Sequence, residues 1–214
     1  MEKQVAFSSQ ASYATLGTLS ADTHTIWLVC HGYGQLSRNF IRRFDVLDLQ
    51  TNYVIAPQGL SKFYLGNKYE EVGASWLTKE SREQDLYNQL AYMKAVFDQE
   101  IPTQEQSNYR YCLLGFSQGV ATICRWAVAQ QLSFDKLILW AGRVPAEIQN
   151  SQLGFISKAA QVFTVVGKQD ALITPEVQEQ EQQRLETLFN HLITIRFDGG
   201  HEIKREVIQQ IATY

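Results

Sequence analysis

The stretch "YCLLGFSQGVATICRW", residues 111–126, sets the architecture of the whole chain. It runs apolar, breaks at Gly-Phe-Ser-Gln-Gly, and runs largely apolar again. The first run has the length and composition of a buried strand. The second carries its apolar residues at helical spacing. A hydrophobic core needs no hydroxyl where a strand turns directly into a helix, whereas a nucleophile held in a tight turn does. Gly115 and Gly119 flank Ser117 without the β-carbons that would clash where strand and helix pass. The helix start directs backbone N–H groups and a partial positive charge at the same point. Read as structure alone, the turn is a plain strand-to-helix connection with Ser117 as its cap.

Working outward, apolar runs of strand length recur at 25–30 "TIWLVC", 53–57 "YVIAP", 109–115 "YRYCLLG", 136–142 "KLILWAG", 162–167 "VFTVVG" and 192–200 "LITIRFDGG". They do not alternate strictly, as expected of strands covered on both faces. Helical patterns lie between them. Residues 37–49 put Phe40, Ile41, Phe44 and Leu47 on one face, with Ser37 as a candidate cap. In 81–98, Leu86, Leu90, Met93 and Phe97 recur, and Ser81 with Gln84 fits a capping box. In 174–189, Thr174 caps and Pro175 takes the first helical position. Residues 202–213 align Ile203, Val207, Ile208 and Ile211. Strand then helix, repeated, predicts an α/β fold with a mostly parallel central sheet and helices on both faces. A short antiparallel pair at one edge is expected from the first 20 residues. Residues 58–80, "QGLSKFYLGNKYEEVGASWLTKE", fit neither period and are expected to form an irregular pocket-lining segment.

The 214 residues suit one domain, 1–214, and the composition is that of an ordinary globular chain, with 45% hydrophobic and 19% charged residues. A net charge of −3 provides no field for nucleic acid or for stable association with an anionic membrane. Cys30, Cys112 and Cys124 sit in apolar runs without C-x-x-C spacing and are expected to be buried reduced thiols. The start of the chain shows no basic segment followed by an apolar one, and no apolar run approaches the ~18 residues of a membrane span, so a cytoplasmic home is expected.

A serine hydroxyl is a weak nucleophile and needs a base oriented by an acid. In a doubly wound hydrolase these follow the serine in the order acid, histidine, each just past a strand. His201, after "FDGG", meets that condition. His24 and His191 read as surface residues. Asp170, after "VFTVVGKQ", is the favoured acid. Asp198 is its rival, but lies only three residues before His201 and is poorly placed to fold back onto the ring. Two N–H donors are needed for the oxyanion. One is Gln118, the residue after the serine. The other is Tyr33 in "VCHGYGQ", 29–35, where His31 is then a structural residue bonding the loop.

Together, "HGYG", "GFSQG", "GKQDALITP" and "GGHEI" resemble the phospholipase/carboxylesterase family of α/β-hydrolases, the group that includes acyl-protein thioesterases and bacterial carboxylesterases. The resemblance spans roughly residues 25–212. It implies Ser117 as nucleophile, Asp170 as acid, His201 as base, and Tyr33 and Gln118 as oxyanion donors. It implies no cofactor or metal, and a small-molecule ester, thioester or lysophospholipid substrate. Trp76 is similar to a family tryptophan near the pocket. "LWAGRVP" departs from the family's usual small pair, which would place Trp140 and Arg143 near the acyl pocket. A non-catalytic binding protein on the same scaffold and a peptidase of the same fold are the alternatives. A monomer and a homodimer both fit.

Overall fold

The computed structural model describes residue 1 and residues 3–214. Its main sheet has seven strands in the order β1-β3-β2-β6-β7-β8-β9. These are β1 (Tyr13–Leu16), β2 (Thr25–Cys30), β3 (Asn52–Pro57), β6 (Arg110–Phe116), β7 (Lys136–Trp140), β8 (Gln161–Gly167) and β9 (Leu192–Phe197). All neighbours pair parallel except β1, which runs antiparallel to β3 at the edge. Each parallel return demands a crossover, and the helices supply most of them. They are α1 (Ser37–Phe40), α2 (Arg82–Glu100), α3 (Gln118–Gln130), α4 (Pro175–Leu188) and α5 (Arg205–Thr213).

The absence of alternation in the strand sequences has its cause in two cores. Ile26, Leu28, Leu113, Leu137 and Leu139 point to one face, where α2, α3 and α4 bring Met93, Phe97, Ile123, Trp126 and Leu185. Trp27, Val29, Leu114, Ile138 and Trp140 point to the other, against Phe40 and Phe44 and against Val207, Ile208 and Ile211 of α5. Both faces of the central strands are buried, so both sets of positions are apolar. The three cysteines are buried and unpaired. Burial pushes the Cys112 and Cys124 thiols up to about 12. No helix among the described residues is long and apolar enough to cross a membrane.

Three local expectations are corrected. The helix expected over 37–49 is one α-turn followed by a 3₁₀ turn, Ile41–Phe44. Ser37 does not cap it: its N–H and its hydroxyl both donate to Gln58 Oε1, at 2.9 and 3.1 Å. Beyond it, Asp48 takes the backbone into a turn, its Oδ1 accepting from Gln50 N–H at 3.1 Å. Such a local bond competes with helix continuation. Ser81 precedes α2 in the left-handed region, at φ 46°, with no side-chain cap, and Gln84 bonds Asn88 instead of closing a box. Thr174 and Pro175 do start α4 by capping and by occupying its first position.

Residues 58–80 are not irregular throughout. This segment contains a two-stranded antiparallel ribbon, β4 (Ser61–Leu65) and β5 (Glu71–Ser75), with Phe63 opposite Gly73 and Tyr64 opposite Val72. It is separate from the main sheet and docks on the turn after β2, where Gly34 N–H donates to Ala74 O at 2.8 Å. Its short strands mix glycine, charge and aromatics, so no period of two emerges.

Candidate active site

The candidate residues gather at the carboxyl ends of β2, β6, β8 and β9, where open α/β sheets place their crevices. Ser117 stands between β6 and α3 at φ 54°, ψ −118°, a conformation that L-residues avoid. The flanking glycines make the turn possible. A β-carbon on Gly119 would stand 2.2 Å from Cys30 O, and one on Gly115 would stand 2.4 Å from the Val120 backbone. The Ser117 N–H donates to Trp140 O at 2.8 Å, which fixes the turn to β7.

His201 follows β9, half-buried, and its ring centroid lies 5.0 Å from that of Phe116, the neighbour of Ser117. His201 Nδ1 is 2.8 Å from Asp170 Oδ2. A carboxylate can only accept, so the imidazole carries a proton on Nδ1. Among the described residues Nε2 has no hydrogen-bond partner. The Asp170 side chain is fully buried. Its second oxygen accepts from Leu172 and Ile173 N–H at 2.8 and 3.2 Å. The two loops are stitched together by backbone, Lys168 N–H to Phe197 O and Gln169 N–H to Gly199 O, each at 2.9 Å. Asp198 points away, and its carboxylate pairs with Lys168 at 2.8 Å on the surface. It does not reach His201.

In the turn after β2, consecutive amides are treated differently. Gly32 N–H donates to Gln35 Oε1 at 2.9 Å, and Gly34 N–H to Ala74 O at 2.8 Å. The Tyr33 N–H between them finds no acceptor among the described residues. Gln118 opens α3, so its N–H has no acceptor within the helix. Two unclaimed amides are thus available at this end of the sheet.

His31 is buried beneath them. Its Nδ1 is 2.8 Å from Gly32 O, and Nε2 accepts from Gly59 N–H at 3.0 Å. Gln58 Nε2 lies 3.1 Å from the same ring nitrogen. An amide N–H can only donate, so the ring is the neutral Nδ1–H tautomer. Burial pulls its pKa down to about 4. Gln58 then accepts from Ser37, and its own N–H donates to Tyr92 Oη at 3.0 Å. Sequence reading gave Gln58 no part. A polar residue directly after a buried strand was the signal.

Trp76 is a buried brace. Its indole N–H donates to His31 O at 2.7 Å, and its ring packs 4.7 Å from the His31 ring. Its N–H donates to Gln118 Oε1 at 3.0 Å, while Gln118 Nε2 donates to Leu77 O at 2.8 Å. The Gln118 side chain therefore ties the segment after β5 to the start of α3, a role beyond its backbone amide. Trp140 is fully buried in the α5-side core, and its indole N–H donates to Glu202 O at 2.9 Å. Through that bond it supports the loop that carries His201. Arg143 turns toward α4, 3.5 Å from Glu181 and exposed. A cleft of about 570 Å³ opens at His201 between α1 and the ribbon, which supplies Leu65, Glu70, Glu71 and Val72 to it. Trp76, Trp140 and Arg143 do not border this cleft.

The sequence matches the phospholipase/carboxylesterase family over residues 18–214. No curated protein matches it significantly. Among solved structures, acyl-protein thioesterase 2 of Zea mays superposes with a TM-score of 0.69 at 15% identity, covering 95% of this chain and 97% of that one. A Mesorhizobium loti carboxylesterase gives 0.68 at 13%, covering 94% and 93%. A Bacillus cereus carboxylesterase gives 0.66 at 14%, covering 96% and 93%. The chain belongs to the phospholipase/carboxylesterase family and has the α/β-hydrolase fold.

Proposed function

We propose that this member of the phospholipase/carboxylesterase family is a serine hydrolase of carboxylic esters or thioesters, acting as one catalytic unit across residues 1–214. The observation that carries the reading is a pair of features at one sheet end. Ser117 is held at φ 54° on the β6–α3 turn, and His201 is bonded to buried Asp170 at 2.8 Å with its other nitrogen unclaimed.

His201 Nε2 takes the proton of Ser117 as Ser117 Oγ attacks the substrate carbonyl. The tetrahedral oxyanion is received by the Tyr33 and Gln118 amides, each worth roughly 10²–10³ in rate. The C–O or C–S bond breaks as His201 returns the proton to the leaving alcohol or thiol. Water, deprotonated by the same nitrogen, then cleaves the acyl-enzyme and regenerates Ser117. Asp170 keeps the proton on Nδ1 and stabilises the imidazolium as it forms. Every step uses groups of this chain. Small-molecule esters are the substrate class, and the cytoplasm is the proposed location.

Ser117→Ala tests the assignment. Hydrolysis of p-nitrophenyl butyrate is expected to disappear while the circular dichroism spectrum and the unfolding midpoint stay unchanged. Retained turnover would overturn it.

A further inference from the structure

The 570 Å³ cleft beside His201 is lined by opposing charges. Arg38 and Arg43 stand on the wall formed by α1 and its 3₁₀ turn. Glu70 and Glu71 stand across from them on the ribbon. The arginine wall is built to hold its shape. Arg205 donates to the Arg42 backbone O at 2.9 Å and pairs with the Asp45 carboxylate at 2.8 Å, tying the turn that carries Arg43 to α5. Among the described residues neither Arg38 nor Arg43 has a carboxylate within ion-pair distance, and neither Glu70 nor Glu71 has a cation. The third carboxylate of the cleft, Glu202, is met by Lys204 at 3.1 Å and also feels the charge of Arg43. Arg38 and Arg43 on one wall and Glu70 and Glu71 on the other therefore line one cleft without forming ion pairs with each other. Leu36, Phe40, Leu65, Val72 and Ile203 share the lining with these charges, so the cleft is mixed and not the wholly apolar groove that suits a hydrocarbon chain alone.

We propose that this cleft is a subsite for a dipolar substituent of the substrate. An acid group, carboxylate or phosphate, meets Arg38 and Arg43, and an ammonium meets Glu70 and Glu71. Guanidinium suits either oxyanion through paired N–H donors, and a carboxylate pair suits a compact cation. A purely anionic substituent is drawn to one wall and repelled by the other. A purely cationic one meets the reverse. Only a group carrying both charges gains from both walls. The proposal rests on the hydrolase reading for which substrate end lies near His201, and it narrows the ester class to dipolar esters.

Ligand-observed NMR titration with four probes tests it without requiring turnover. Phosphocholine and 6-aminohexanoate are dipolar. Inorganic phosphate carries only the anion, and tetramethylammonium only the cation. At least one dipolar probe is expected to bind about fivefold or more tightly than either single-charge probe, the scale of one exposed ion pair. Which dipolar probe binds better identifies the acid group as phosphate or carboxylate. In Arg38→Ala/Arg43→Ala the advantage over tetramethylammonium is expected to vanish. In Glu70→Gln/Glu71→Gln the advantage over phosphate is expected to vanish. Equal binding of all four probes overturns the proposal, as does a dipolar preference that survives both double substitutions. Because binding is the readout, loss of the hydrolase assignment leaves this result separately interpretable: an inactive protein with dipolar preference breaks only the former.

Discussion

The turn after β2 and the loop after β9 each bring a histidine to the same end of the sheet, and they use it in opposite ways. His31 is fully buried. Both of its ring nitrogens are taken, by Gly32 O on one side and by Gly59 N–H on the other. His201 is half-buried and bonded through Nδ1 alone. A ring with no free nitrogen is a strut. A ring with one nitrogen oriented by a buried carboxylate and the other unclaimed can move a proton. The lesson extends to the aspartates. Asp170 is buried against His201, while Asp198, three residues before the histidine, is spent on a surface lysine. Residue type does not separate the members of either pair, but environment does.

The largest expected effect separates the two rings. His201→Ala should lower kcat/KM for p-nitrophenyl butyrate by roughly 10⁴–10⁶-fold, as for loss of a catalytic base. Its urea midpoint should barely move. His31→Ala should show the reverse ordering, with the greater loss in stability. Next, Asp170→Asn should cost about 10⁴-fold in kcat. Asp198→Asn should leave steady-state rates unchanged, because its partner Lys168 is a surface group.

The pH dependence of folding isolates His31. Its pKa falls from 6.5 to about 4 on folding, so the unfolded chain binds more protons between those values. Stability is full above pH 6.5 and is lost progressively as pH falls toward 4. The loss from this group is about 3 kcal/mol. Urea titrations across that window should show it in the native protein, and a variant in which Gln replaces His31 should show a shallower slope. The smallest effect belongs to the brace. Gln118→Ala keeps the backbone donor but removes the side-chain bonds to Trp76 and Leu77. A destabilisation of about 1–2 kcal/mol is expected by calorimetry, with a smaller drop in kcat than for Asp170→Asn.

Much of this was legible in the sequence, for physical reasons that can be named. The doubly buried strands show as continuous apolar runs, and the Gly-Phe-Ser-Gln-Gly break, which by itself also fits a plain strand-to-helix turn, gains its meaning from Asp170, His201 and the loop after β2 in the expected order. The β4–β5 ribbon was not legible, because Glu71 and Gly73 of β5 erase its alternation. The side-chain bonds of Gln58 and Gln118 reach residues far along the chain, and no local spacing encodes such partners. Trp140 shows the limit most plainly. The chain places a large aromatic at the end of β7, but only the pairing of β7 with β6 and β8 decides which face it enters. It enters the α5-side core and holds the His201 loop by Glu202 O.

If Ser117 is the nucleophile proposed above, a fluorophosphonate probe will find it without the help of any substrate. Intact-mass analysis after labelling should show one adduct, and peptide mapping should place it on Ser117. Labelling should be strongly slowed in His201→Ala and unaffected by Asp198→Asn. An unlabelled native protein, or an adduct mapped to any other residue, would contradict the account.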